Sequence, residues 1–134
     1  MDNAHKLINA FTNWANNEDN IQATGLVGSY ARDAARPDSD IDLMIIVKDQ
    51  DQYINDEGWI HQFGEVDKIE DEVWSQLKTK RVYYKDDTEV EYNFDKKSWA
   101  NPQDSGTKRV VTDGMKILVD KEGILNELVT ALGK

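Results

Sequence analysis

The sequence predicts one α/β domain of the α+β kind, a mixed β-sheet backed by helices, spanning residues 1–134. Three observations lead there. Apolar residues recur with a helical period at both ends of the chain, strand-like runs fill the middle, and a tight hairpin signal, KDDT at 85–88, joins two of those runs. Helices and strands mixed around a hairpin give a sheet with helices packed on it. The length is near the commonest size of a domain and lets it bury about 70% of its unfolded surface. No repeat, linker or low-complexity segment divides it.

Residues 3–17 read as a helix, because Leu7, Phe11 and Trp14 fall on one face of a 3.6-residue period. The polar run NNEDN breaks it. IQATGLVG (21–28) reads as a strand ending in glycine, and SYARDAA (29–35) as a short helix stopped before Pro37. DIDLMIIV (40–47) is a strong strand. KDQDQYIND (48–56) is a polar loop or short helix, and GWIHQF (58–63) a helical turn. GEVDKIEDEVW (64–74), KRVYYK (80–85) and TEVEYNF (88–94) are strands, KKSWANPQDSGT (96–107) is loop-like, and GMKILVD (114–120) is a last strand. The closing helix, EGILNELVTALGK, carries Ile124, Leu128 and Leu132 along one stripe. Trp14 and Trp74 read as core residues by periodicity, whereas Trp59 and Trp99 have no evident place.

Composition narrows the function classes. Sixteen basic against 26 acidic residues give a formal net charge of −10 and a pI near 4.6. Such a surface repels phosphate backbones, and the densest basic run, KTKR at 78–81, is surrounded by acids, so duplex nucleic acid is an unsuitable partner. The charge suits a cationic substrate or divalent metal as well as plain solubility. There is no cysteine, which fits a reducing cytoplasm. MDNAHKLINAF holds no signal-peptide core, and LMIIV is far too short to span a membrane. His5 and His61 are isolated, which excludes a zinc site.

The chemistry concentrates between Leu26 and Val47. Residues i and i+2 of a strand share a face, so Asp40 and Asp42 project together while Ile41 and Leu43 face the core. Adjacent carboxylates disfavour each other's ionised form, and a divalent cation removes that penalty because hard cations take carboxylate oxygens. Upstream, Gly28-Ser29 sits where a strand turns into a helix. Glycine lets backbone approach a ligand, and N–H groups at the start of a helix favour negative charge. A phosphate cradle lies next in sequence to a metal site, which suits chemistry on a nucleoside triphosphate. A two-metal centre needs a third carboxylate from another strand; Glu91 is the first candidate and Glu89, on the same face, its rival. Arg32, Arg36 and Lys80 are available for phosphate oxygens. Tyr30 either shapes the nucleotide pocket or packs on the helix.

GSYARDAARPDSDIDL resembles the signature of the DNA polymerase β-like nucleotidyltransferase superfamily, a Gly-Ser pair followed by Asp-x-Asp. The resemblance implies that Gly28 and Ser29 hold the triphosphate of ATP, with Arg32 expected beside them as a cofactor-binding cation on its charge alone, and that Asp40, Asp42 and Glu91 are catalytic and bind two Mg²⁺ ions. GWIHQFGEVDKIEDE, VYYKDDTEVEYNF and ILVDKEGIL are similar to the N-terminal domain of aminoglycoside 6-adenylyltransferases. That likeness implies transfer of AMP to a hydroxyl of a small, aminoglycoside-like molecule. There are three departures. No helical C-terminal domain follows, the third carboxylate is Glu rather than Asp, and Asp33 stands where the signature often has Gly. They keep two alternatives in view: a minimal nucleotidyltransferase acting on a partner protein, and a silent nucleotide-binding domain. A homodimer would be one way to complete the acceptor pocket.

Overall fold

The computed structural model describes residues 2–133. Helix α1 (Asn3–Asn16) starts at Asp2, whose carboxylate accepts the His5 backbone N–H at 2.9 Å, satisfying one of the unpaired donors of a helix start. Leu7, Ile8, Phe11 and Ala15 form its buried face. The chain then runs through β1 (Ile21–Val27), β2 (Ile41–Val47), the short helix α2 (Asp51–Asn55) and a 3-10 turn at Gly58–Phe63. A meander follows, β3 (Val66–Trp74), β4 (Leu77–Tyr84) and β5 (Glu89–Asp95). Helix α3 (Ser105–Asp113), strand β6 (Met115–Asp120) and helix α4 (Ile124–Ala131) complete it.

The six strands form one sheet in the order β3-β4-β5-β2-β1-β6. Among the described residues only β2 and β5 pair in parallel, so the sheet is mixed as the sequence predicts. All seven residues of β1 are buried, because the sheet's middle is covered on both faces. One face carries the larger apolar cluster, where Phe11 of α1 meets Ile41, Leu43, Tyr92 and Phe94. The other carries Met44 and Ile46 against Val111 of α3 and Leu125 and Leu128 of α4. Fully buried Ile and Val on both faces are what a central strand needs.

Five expectations are corrected. The segment 96–107 is not all loop, since α3 begins at Ser105. Its Thr and Val residues give little helical propensity, and tertiary contacts supply the rest: Asp104 accepts Thr107 N at 2.9 Å and Thr107 Oγ1 donates to Trp99 O at 2.6 Å. The helix expected over 29–35 is a single 3-10 turn at Gly28–Tyr30. Asp33 takes a left-handed φ of 55°, which a right-handed helix cannot continue through; the residue that replaces the signature's glycine therefore occupies a conformation glycine favours. Trp74 is not core. It is 63% exposed beside Val73 at 67%, at the turn end of β3, and the next strand, β4, begins at Leu77 rather than Lys80. Lys80 is not at the phosphate site. It points to the other face of β4 from Arg81, is 2% exposed, and holds Glu57 at 2.6 Å and Asp71 at 2.9 Å.

The unplaced tryptophans find structural positions. Trp59 stacks on Trp14 at 5.5 Å with 7° between planes and meets Tyr92 edge-on. Trp99 packs against the α3–α4 cluster. Among the described residues no helix is long and apolar enough to cross a membrane.

Candidate active site

The register of three strands builds the site. Asp42 of β2 lies directly beside Glu91 of the parallel strand β5, and Glu91 lies directly beside Arg81 of β4. On its other side Asp42 pairs with Val27, the last residue of β1, so Gly28 and Ser29 follow at once. Asp42, Glu91 and Arg81 thus form a row across the sheet beside the turn at Gly28. Asp40 precedes β2 and is 40% exposed. Of the two candidate third carboxylates, Glu91 faces Asp42, whereas Glu89 pairs in register with Tyr83 and binds Arg81 at 3.0 Å.

Gly28 has φ +76°, and a Cβ placed on it would stand 3.5 Å from Asp42 Cβ. The left-handed turn is therefore open to glycine and costly for other residues. The Gly28 carbonyl accepts Ala31 N at 3.1 Å, and Ser29 O accepts Ala34 N at 2.9 Å. One 3-10 turn has too few aligned peptides for a helix macrodipole, so any anion here would meet local N–H groups and the Ser29 hydroxyl. Arg32 lies beyond the turn, exposed, with its stem over Gly114.

Asp42 is held by a relay. Asn93 Nδ2 donates to Asp42 Oδ1 at 2.8 Å and to Leu43 O at 3.1 Å, while Thr79 Oγ1 donates to Asn93 Oδ1 at 2.7 Å. The amide is buried and satisfied and Asp42 is partly buried against it, which fixes the carboxylate's orientation. Burial, followed by the charges of Glu91 and Asp40, pushes the Asp42 carboxyl up from 3.8 to about 7; the Asn93 hydrogen bond and Arg81 pull against them. Glu91 is also raised, chiefly by burial, with Arg81 opposing.

Arg81 is the cation of the site. Its Nε meets Glu72 at 3.1 Å and its Nη1 meets Glu89 at 3.0 Å; Nη2 lies 3.2 Å from Glu91 and Nη1 3.7 Å from Asp40. Burial works against the guanidinium charge, and the Glu72 hydrogen bond and Glu91 charge outweigh it. The donor chemistry fits a divalent metal, because Asp42 and Glu91 are opposed, partly buried oxygen donors of like charge. Among the described residues, however, no three acids or histidines close around a common point, and Arg81 stands between Asp40 and Glu91 instead. Neither Arg81 nor Asn93 stands out in the sequence. Asn93 is two residues on from Glu91 and so shares its face. Arg81 is legible by centring the hairpin on KDDT, where Tyr84 N bonds Thr88 O at 2.8 Å.

A surface cavity of about 480 Å³ opens next to the turn, lined by Tyr30, Arg36, Ser39, His5 and the acids Asp2, Asp86 and Asp87. Tyr30 both lines it and packs on the α1 cluster, edge-on to His5.

The profile of the streptomycin adenylyltransferase family matches residues 1–133. The chain belongs to that family. An aminoglycoside 6-adenyltransferase from Bacillus subtilis has a similar solved structure, with a TM-score of 0.56 and 12% identity over 72% of this chain. That likeness establishes the nucleotidyltransferase fold. The family member described here spans 35% of the length of that enzyme. No curated protein matches it in sequence.

Proposed function

We propose that this chain is a metal-dependent adenylyltransferase that moves AMP from ATP to a hydroxyl of a small cationic molecule. The observation that carries the reading is the direct pairing of Asp42 with Glu91 beside the Gly28 turn. Asp40, Asp42 and Glu91 would hold Mg²⁺, two ions by analogy with the superfamily, and the bound metal would neutralise phosphate oxygens and favour the attacking alkoxide. Gly28 and Ser29 receive the phosphates through backbone N–H groups and a hydroxyl. Asn93 keeps the Asp42 carboxylate turned toward them. Glu91, with a raised proton affinity, accepts the proton of the acceptor hydroxyl. The hydroxyl oxygen bonds to the α-phosphorus, and the bond to pyrophosphate breaks.

A cationic small acceptor is supported by the net charge of −10 and by the acid-lined cavity beside Tyr30 and Ser39, whose volume lies in the range small ligands occupy. A partner protein as acceptor is the second reading, favoured by exposed Val73 and Trp74 at the hairpin tip. The test is incubation with α-labelled ATP, Mg²⁺ and a lysate separated into small-molecule and protein fractions. Label in the cationic small-molecule fraction, absent with Asp42→Asn, supports the first reading, and label in protein supports the second. A wild-type protein that transfers nothing to either fraction would refute both.

A further inference from the structure

The least expected group in the site is a guanidinium among carboxylates proposed to hold metal. Its contacts are of two kinds. Glu72 and Glu89 lie outside the Asp40–Asp42–Glu91 set and hydrogen-bond Arg81 Nε and Nη1 at 3.1 and 3.0 Å. Glu91 and Asp40 belong to the set; Nη2 lies 3.2 Å from Glu91, and Nη1, already bonded to Glu89, lies 3.7 Å from Asp40. Among the described residues Asp42 accepts a hydrogen bond from the Asn93 amide and makes no close ion pair with Arg81. The guanidinium can therefore release Glu91 and Asp40 and remain paired to two carboxylates. A cation entering beside Asp42 has no such second position, and two positive charges cannot share Glu91 and Asp40 without repulsion.

We propose that Arg81 competes with the divalent cation: it is the resident counter-ion of Glu91 and Asp40, and metal binds only as the guanidinium withdraws onto Glu72 and Glu89. This rests on the metal reading of the Asp42–Glu91 pair given above. Arg81 weakens metal binding in the absence of nucleotide. The triphosphate raises the local negative charge and tips the balance toward metal, so metal and nucleotide bind together rather than separately.

The probe is Mn²⁺ alone, titrated by calorimetry and by the loss of its free-ion paramagnetic signal, with circular dichroism confirming each fold. Arg81→Gln should bind Mn²⁺ about tenfold more tightly than wild type. Arg81→Lys, which keeps the charge and loses the planar fork, should fall between them. The double variant Glu72→Gln/Glu89→Gln removes the withdrawn position and should bind Mn²⁺ more weakly than wild type. It decides the matter alone should Arg81→Gln not fold. Lys116→Gln, which removes a charge paired to Asp33, should bind as wild type does. Equal or weaker binding by Arg81→Gln overturns the competition, as does an equal gain from Lys116→Gln, which would reduce the effect to net charge. In each of those cases loss of binding in Asp42→Asn leaves the metal site standing. Mn²⁺ taken up by neither wild type nor Arg81→Gln, or taken up undiminished by Asp42→Asn, overturns the metal assignment and the competition together.

Discussion

Asp42→Asn should make the protein more stable, and more so as pH rises. The Asp42 carboxyl titrates near 7 in the folded chain against 3.8 when exposed. A carboxyl raised in the folded state keeps its proton after the unfolded chain has lost it. The folded state therefore has an advantage below the unfolded value, and that advantage is gone above about pH 7. At about 1.36 kcal/mol per pH unit, the full interval is worth at most about 4 kcal/mol, and the part between pH 5 and 7 at most about 3 kcal/mol. Some of this is recovered when Arg81 and water reorganise around the ionised group, so about 1–2 kcal/mol is the expected gain over that window. Asparagine is nearly isosteric, carries no charge, and still accepts the Asn93 amide. For a domain of this size the gain corresponds to a Tm difference of about 3–6 °C. Thermal melts of wild type and variant near pH 5 and pH 8, without divalent metal, measure it. A difference that stays flat across the window, or shrinks as pH rises, would refute the electrostatic account of the Asp42–Glu91–Asp40 cluster.

Further expectations concern the same site. Mg²⁺ at about 100 times its Kd should stabilise wild type by about 2.7 kcal/mol at pH 8 and leave Asp42→Asn unmoved, read by the same melts. Asn93→Ala should cost about 1–3 kcal/mol in denaturant unfolding, since Thr79 Oγ1 and Asp42 both lose a buried partner; no cost would show that the relay does not hold Asp42. Gly28→Ala should lose about 1–2 kcal/mol of stability because of its φ of +76° and weaken Mg–ATP binding, measured by calorimetry. Glu91→Gln should lower transfer by about a hundredfold or more, whereas Glu89→Gln should stay within about tenfold of wild type.

Local signals carried much of the fold. The apolar run of DIDLMIIV, the helical stripe of Leu7, Phe11 and Trp14, and the KDDT turn are each complete within a few residues, and their elements stand where expected. The closeness of Gly28 and Ser29 at the turn to Asp40 and Asp42 at the strand start is legible for the same reason. What was not legible depends on distant pairing. Glu89 and Glu91 are equivalent by periodicity, and only the parallel register of β5 on β2 sets Glu91 beside Asp42. Helix α3 has weak intrinsic propensity and forms through Asp104, Trp99 and the face of the sheet it covers. Trp74 fits an apolar period, but whether a hairpin end is covered depends on the lengths of other elements. Arg81 was hidden by its neighbours, because a basic residue in KTKR reads as solvated charge until cross-strand carboxylates surround it.

The account stands on the carboxylates of Asp42 and Glu91 acting together on a metal-bound triphosphate. Pyrophosphate released from Mg–ATP in the presence of a cationic hydroxyl acceptor, compared for wild type, Asp42→Asn and Glu91→Gln, measures that claim most directly. Wild type should release pyrophosphate, and both variants, though folded, should release it about a hundredfold or more slowly. Release at an undiminished rate by either variant would contradict that claim.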